Sequence, residues 1–222
     1  MEESDRLALQ EILNNSAAMY AFIARLYRQE VDKDLLSSLH RLDFAAAADE
    51  PEIAAGYRMM EGFLRQGNDD QEVELAVDYA RIFLGCGPKQ GEGAFPYESV
   101  YTSPRGLIMQ EARDQVVAVY RSEGMVRDSS FSEPEDHIAF ELVFMEYLCR
   151  SMLKALHQED EEQVLSCLHK QKEFLDQHLM NWVPGFCQDV ERIAATDFYR
   201  GLAKVTVGYL RMEQELLNEL LN

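Results

Sequence analysis

The chain of 222 residues contains few prolines, six in all, and no low-complexity tract, which excludes long disordered linkers. Its four cysteines, Cys86, Cys149, Cys167 and Cys187, are widely spaced and form no Cys-x-x-Cys pair. Cys149 and Cys167 fall within helical patterns and read as small buried hydrophobes of a reduced protein. No apolar run approaches the ~20 residues that span a bilayer. The start, Met1-Glu2-Glu3-Ser4-Asp5, has neither the basic residues nor the apolar run of a secretory signal. Positive charge is scarce: 21 Lys and Arg stand against 40 Asp and Glu, for a net charge of −19. Such a surface repels nucleic-acid phosphates and anionic membranes and steers basic partners inward, besides keeping the protein soluble. The expectation is a cytoplasmic protein that binds no nucleic acid and does not insert stably in a membrane. Alternating apolar and polar runs are absent, so no β-strand is expected.

What the chain does have is helical period. Leu9, Ile12, Leu13, Ala17, Tyr20, Ile23, Ala24 and Tyr27 recur at three- and four-residue steps, predicting an amphipathic helix over 4–28. Asp32 or Asp34 can cap a shorter helix through Leu35–Leu42. Glu50-Pro51-Glu52 starts another, ended by Gly67-Asn68, and Asp69 or Asp70 starts the next, stopped by Gly85. Residues 85–104 hold Gly85, Gly87, Gly91 and Gly93 with Pro88, Pro96 and Pro104, the main irregular segment. Ser103-Pro104 then opens a helix that ends at Gly124. Ser132 and Glu135 fit a capping box ahead of the most apolar helix, from Pro134 to about His157. Helices over 160–180, near 184–195 and from Asp197 onward complete the chain, with Trp182 at an interhelical corner. The fold class is all-α, one globular domain of roughly eight to ten helices. The polar connection 124–132 reads as a hinge between an N-terminal subdomain, about 1–123, and a C-terminal one, about 133–222.

Two stretches stand out chemically. Glu133-Pro134-Glu135-Asp136-His137 places an Asp-His pair at a helix start, where backbone N–H groups lack partners. Pro96-Tyr97-Glu98-Ser99-Val100-Tyr101 sets two aromatics, a proline and an acid on a loop, a combination suited to peptide recognition, although taken alone it fits the sealing of a core by Tyr97 and Tyr101 better. The Asp136-His137 pair admits capping, with Glu141 as the histidine's partner one turn on. It also admits metal binding by Asp136, His137 and Glu141, although no second half-site accompanies it. Acid-base catalysis lacks a nucleophile in a recognisable setting. Gly85-Cys86-Gly87-Pro88-Lys89-Gln90-Gly91 superficially matches a phosphate-binding loop, but a helical segment precedes it where a strand is required. His157, His169 and His178 lie on charged faces and read as solvated.

Tyr79-Ala80-Arg81-Ile82-Phe83-Leu84-Gly85, then Pro96–Tyr101, then the Glu-Pro-x-Asp-His sequence at 133–137 resemble, in this order, the TorD/DmsD family over roughly residues 10–180. That resemblance implies a non-enzymatic, system-specific chaperone for a molybdenum oxidoreductase exported by the twin-arginine pathway. Such a protein binds the signal peptide and the apo enzyme until molybdopterin guanine dinucleotide has been inserted, and carries no cofactor itself. It further implies that Tyr97, Glu98, Ser99 and Tyr101 line the peptide groove, with Asp136 and His137 at its rim. Glu133 and Glu98 would then pair with the signal's arginines. A monomer and a domain-exchanged dimer both fit. Two other classes stay open: a helical-bundle enzyme using a metal or the His-Asp pair, and an adaptor that binds a folded partner.

Overall fold

A computed structural model of the chain describes residues 3–44, 50–67, 70–87, 92–125 and 132–221. Among them it has ten α-helices: α1 (Glu3–Arg28), α2 (Lys33–Leu39), α3 (Pro51–Leu64), α4 (Gln71–Phe83), α5 (Glu98–Thr102), α6 (Glu111–Ser122), α7 (Ile138–His157), α8 (Glu161–Phe174), α9 (Met180–Ile193) and α10 (Asp197–Leu220). A π-helical turn, Leu175–Leu179, joins α8 to α9. The described residues contain no strand, only one isolated antiparallel bridge between Tyr97 and His137. The all-α expectation is met, and none of these helices is long and apolar enough to cross a membrane.

Several starts follow from local chemistry. Asp32 accepts from Leu35 N at 2.8 Å to cap α2, and Asp160 does the same for Gln163 N at 3.0 Å to cap α8. Glu50 accepts from Ile53 N at 2.6 Å, with Pro51 opening α3 where its missing N–H costs nothing.

Other boundaries differ from the sequence reading. Ser103 does not open a helix; its hydroxyl instead accepts from Leu107 N at 3.2 Å inside a loop, and α6 begins only at Glu111. Trp182 and Pro184 do not lie at an interhelical corner but inside α9. Ser132 and Glu135 make no capping box: α7 starts at Ile138, and Glu135 pairs with Arg113. Asn68, Asp69, residues 88–91 and most of the 124–132 connection lie outside the described residues.

The chain divides into two compact units. One comprises Met1–Arg28, Tyr97–Asn181 and Glu213–Asn222, the other Gln29–Pro96 and Trp182–Met212. Both flanks of the 124–132 connection belong to the first unit, so the two units are not the expected sequence halves. The reason is that α1 packs along α7, which carries the N-terminal helix into the company of residues more than a hundred positions later.

In the first unit α7 is central: Ile138, Leu142, Phe144, Met145, Leu148, Cys149 and Met152 are fully buried. Tyr20, Ile23 and Tyr27 of α1 and Cys167 and Phe174 of α8 are buried with it. Buried Glu213 accepts from Ser16 Oγ at 2.8 Å and Tyr20 OH at 3.1 Å, tying the end of α10 to α1.

In the second unit Asp78 is buried and accepts from Ala195 N, Thr196 N and Thr196 Oγ1 at 2.7–2.9 Å, which fixes the α9–α10 turn on α4. There α3 and α10 touch backbone to backbone: a Cβ at Gly201 would lie 2.5 Å from the Gly56 carbonyl oxygen. Gly201→Ala is therefore expected to cost about 1–3 kcal/mol. Gly62→Ala in α3, whose Cβ would meet nothing within 4 Å, should be neutral or stabilising by ~0.5–1 kcal/mol. Urea denaturation of the two variants against wild type checks both signs.

Candidate functional site

The two chemically distinctive stretches meet in the first unit. Tyr97 and His137 form the isolated antiparallel bridge, and Glu98 N donates to the Asp136 carbonyl at 3.0 Å. Their rings also pack edge to face, with centroids 5.2 Å apart. The Tyr97 hydroxyl donates to Glu133 Oε2 at 2.5 Å. Ser99 N, in the first turn of α5, donates to Asp136 Oδ2 at 2.9 Å. A five-residue helix cannot sustain itself, so its first turn depends on this carboxylate from 37 residues away.

Asp136 and His137 are neighbours in sequence but serve different helices. Asp136 holds α5, whereas His137 is the N-cap of α7 and accepts from Ala139 N through Nδ1 at 3.0 Å. Both are buried, below the surface rather than at the rim of a groove. Burial pushes the His137 pKa down to about 3, so at neutral pH the ring is uncharged, as its acceptor role requires. Burial also raises the Asp136 pKa. The Ser99 hydrogen bonds oppose that shift, and the nearby Glu98 carboxylate adds to it. With Nδ1 engaged by a backbone amide and Asp136 turned to Ser99, the pair is no catalytic dyad.

Glu98 is buried too, only 2% exposed, with its carboxylate 2.9 Å from His178 Nδ1. Two expectations change here. Glu98 does not offer its charge to an arginine at the surface, and His178, 5% exposed, is not solvated. His178 comes from the π turn, where one extra residue per turn rotates it off the face that a 3.6-residue period assigns to it. Beside this pair, Tyr120 of α6 donates to the Glu135 carbonyl at 3.3 Å. Its phenol pKa is driven up by burial first and then by the carboxylates of Glu141, Glu98, Asp136 and Glu135. Arg113 Nε lies 2.7 Å from Glu135 Oε2 and closes the same corner.

Tyr97, Tyr101 and Glu133 remain half-buried, with part of each side chain open to solvent. Thus Glu98, Ser99, Asp136 and His137 form a buried frame, and the tyrosines and Glu133 are what that frame presents. Sequence reading missed His178, Tyr120 and Arg113, none of which belongs to a local motif. Among the described residues no group of three or more His, Cys, Asp or Glu is placed to hold a metal ion.

Removing the Asp136 carboxylate should leave the buried Ser99 amide unpaired. Asp136→Ala is expected to cost about 1–3 kcal/mol, and Asp136→Asn, which keeps an acceptor, distinctly less. Urea midpoints and amide exchange at Ser99 report this. For His137 the folded pKa lies below the unfolded value, so its contribution to stability is present above about pH 6.5 and is lost as pH falls toward about 3. His137→Asn, which retains a capping oxygen, should remove up to about 1.4 kcal/mol per pH unit from the acid-side slope. Unfolding free energies of both proteins across that window measure the difference.

Comparison with known proteins now adds to the geometry. The family model described as nitrate reductase delta subunit matches residues 46–188, most of the chain and the whole of the site. Chaperone protein TorD of Vibrio cholerae serotype O1 is 28% identical over 217 residues, covering 95% of this chain and 96% of that protein. Chaperone protein TorD of Shewanella pealeana is 27% identical over 218 residues, covering 93% and 91% respectively. The namesake from Photobacterium profundum is 31% identical over 149 residues, covering 67% and 66%. A solved structure of a candidate redox enzyme maturation protein from Archaeoglobus fulgidus aligns more loosely, with a TM-score of 0.47 and 19% identity over 91% of this chain and 93% of that one. The chain belongs to the nitrate reductase delta subunit family, of the TorD type.

Proposed function

We propose that this protein is a cytoplasmic, system-specific maturation chaperone. In this reading it binds the twin-arginine signal peptide and the apo form of a molybdopterin-containing oxidoreductase. It would favour cofactor insertion and delay export until the client has folded. The observation that carries the reading is the union of the two motif stretches into one hydrogen-bonded unit that presents Tyr97, Tyr101 and Glu133 to solvent. Relatives that are similar over nearly their whole length are named chaperones, and the net charge of −19 suits a basic segment.

Within this function the residues divide their work. Glu133 supplies the carboxylate for an arginine of the signal, whose planar fork matches it in bidentate fashion. Tyr97 and Tyr101 supply rigid contact area with a polar tip, and Tyr97 aims Glu133 through its hydroxyl. Glu98, Ser99, Asp136 and His137 act as positioning residues beneath them.

Calorimetric titration with twin-arginine signal peptides from molybdoenzymes, each paired with a version carrying alanine for both arginines, tests this reading. One peptide should bind, more weakly at raised salt and far more weakly without its arginines. Glu133→Gln should lose about tenfold in affinity, roughly 1.4 kcal/mol. No heat from any signal peptide, together with capture of an apo enzyme lacking its signal, would point instead to an adaptor for the client body.

A further inference from the structure

The loop between α5 and α6 shows three consecutive apolar side chains to solvent: Leu107, Ile108 and Met109 are 44%, 48% and 54% exposed. Single exposed apolar residues are ordinary, but an uninterrupted run of this kind is a mark of an interaction surface. The run is not slack. Leu107 N donates to Ser103 Oγ at 3.2 Å, and the Gln110 side-chain amide donates to the carbonyls of Ile108 at 2.9 Å and Met109 at 3.2 Å. Met109 adopts a φ of 59°, in the left-handed region that a residue with a Cβ enters at a cost.

Both ends of the loop close on Ser99. Its carbonyl accepts from Ser103 N at 3.1 Å, and its hydroxyl oxygen accepts from Gln110 N at 3.1 Å. Ser99 is itself held by Asp136 through its own N–H. The same buried centre that sets Tyr97 and Glu133 therefore also sets the apolar run. The five residues of α5 advance the chain only about 7.5 Å, within the reach of a few extended peptide residues.

The charge pattern bears on the occupant. Residues 103–110, Ser-Pro-Arg-Gly-Leu-Ile-Met-Gln, contain no acidic residue and one arginine in a chain with 40 acidic residues. A basic segment is drawn elsewhere, to the carboxylates, while an uncharged apolar segment is matched here. We infer that Leu107, Ile108 and Met109 form a preformed docking surface for the apolar stretch of the bound signal peptide. The inference rests on the peptide-binding reading above and adds a contact loop to it.

The test uses the full-length protein and two forms of the bound signal peptide, one native and one with its apolar stretch replaced by serine and glycine. Leu107→Ser/Ile108→Ser should bind the native peptide at least tenfold more weakly, bind the stripped peptide as wild type does, and keep the wild-type Tm. Met109→Gly, which removes the strain and frees the loop, should weaken native-peptide binding several-fold with no loss of Tm. If wild type binds the native peptide and the double variant binds it equally well, the loop inference alone falls. If wild type binds neither peptide, the peptide-binding reading falls and the loop inference with it. If sedimentation shows a dimer that the double variant loses while its peptide affinity is unchanged, the run is a contact between copies and the inference is overturned.

Discussion

A carboxylate of one motif reaching a backbone amide of the other, Asp136 Oδ2 to Ser99 N at 2.9 Å, orders the surroundings of the site. Through the amide it sustains α5, which is too short to hold its own first turn. Through the Ser99 carbonyl and hydroxyl it fixes both ends of the loop that follows. Through the adjoining main-chain bond, Glu98 N to the Asp136 carbonyl, it keeps Tyr97 against His137 and so keeps the Tyr97 hydroxyl on Glu133. A substitution at Asp136 would thus be felt at a tyrosine, an acid and an apolar loop, although Asp136 itself touches no solvent.

This arrangement has an electrostatic cost. Glu98, Asp136 and Glu141 are acids buried in one neighbourhood, and burial close to like charge opposes the ionisation of Asp136. The raised Asp136 and Tyr120 pKa values are the local expression of that resistance. The Glu98 carboxylate is partnered by His178 Nδ1 at 2.9 Å, and Glu135 by Arg113. A hydrophobic corner of the same volume would favour folding more, as is general for buried ionic groups. What the polar corner supplies is direction: hydrogen bonds fix which way α5 and its loop leave the core, and apolar packing alone does not.

The helices were legible because apolar residues at three- and four-residue steps reflect burial on one face, and caps such as Asp32, Glu50 and Asp160 act within their own turn. The site was legible only as two separate motifs. The α5 helix escaped because its cap comes from outside the local sequence. The capping box at Ser132 and Glu135 misled because Arg113, distant in sequence, takes the glutamate. The start of α6 misled because Ser103 serves a loop amide in place of a helix. His178 escaped because a single π turn breaks the periodicity on which face assignment depends. At α5, Glu135 and His178 a long-range partner or a register change outweighed a local signal, and at Ser103 a competing local bond did so.

The same geometry weighs against a catalytic reading of Asp136 and His137. General acid-base work needs a group that can gain and lose a proton near neutral pH at a face open to substrate. His137 is buried, its Nδ1 lone pair is committed to Ala139 N, and its pKa lies near 3, so the ring stays neutral across that range. Asp136 is committed to Ser99 in the opposite direction. A residue pair that is adjacent in sequence has been divided between two helix starts, and each member shapes the backbone in place of acting on a ligand. That division sets the backbone geometry below the surface, on which the half-buried side chains of Tyr97, Tyr101 and Glu133 are carried.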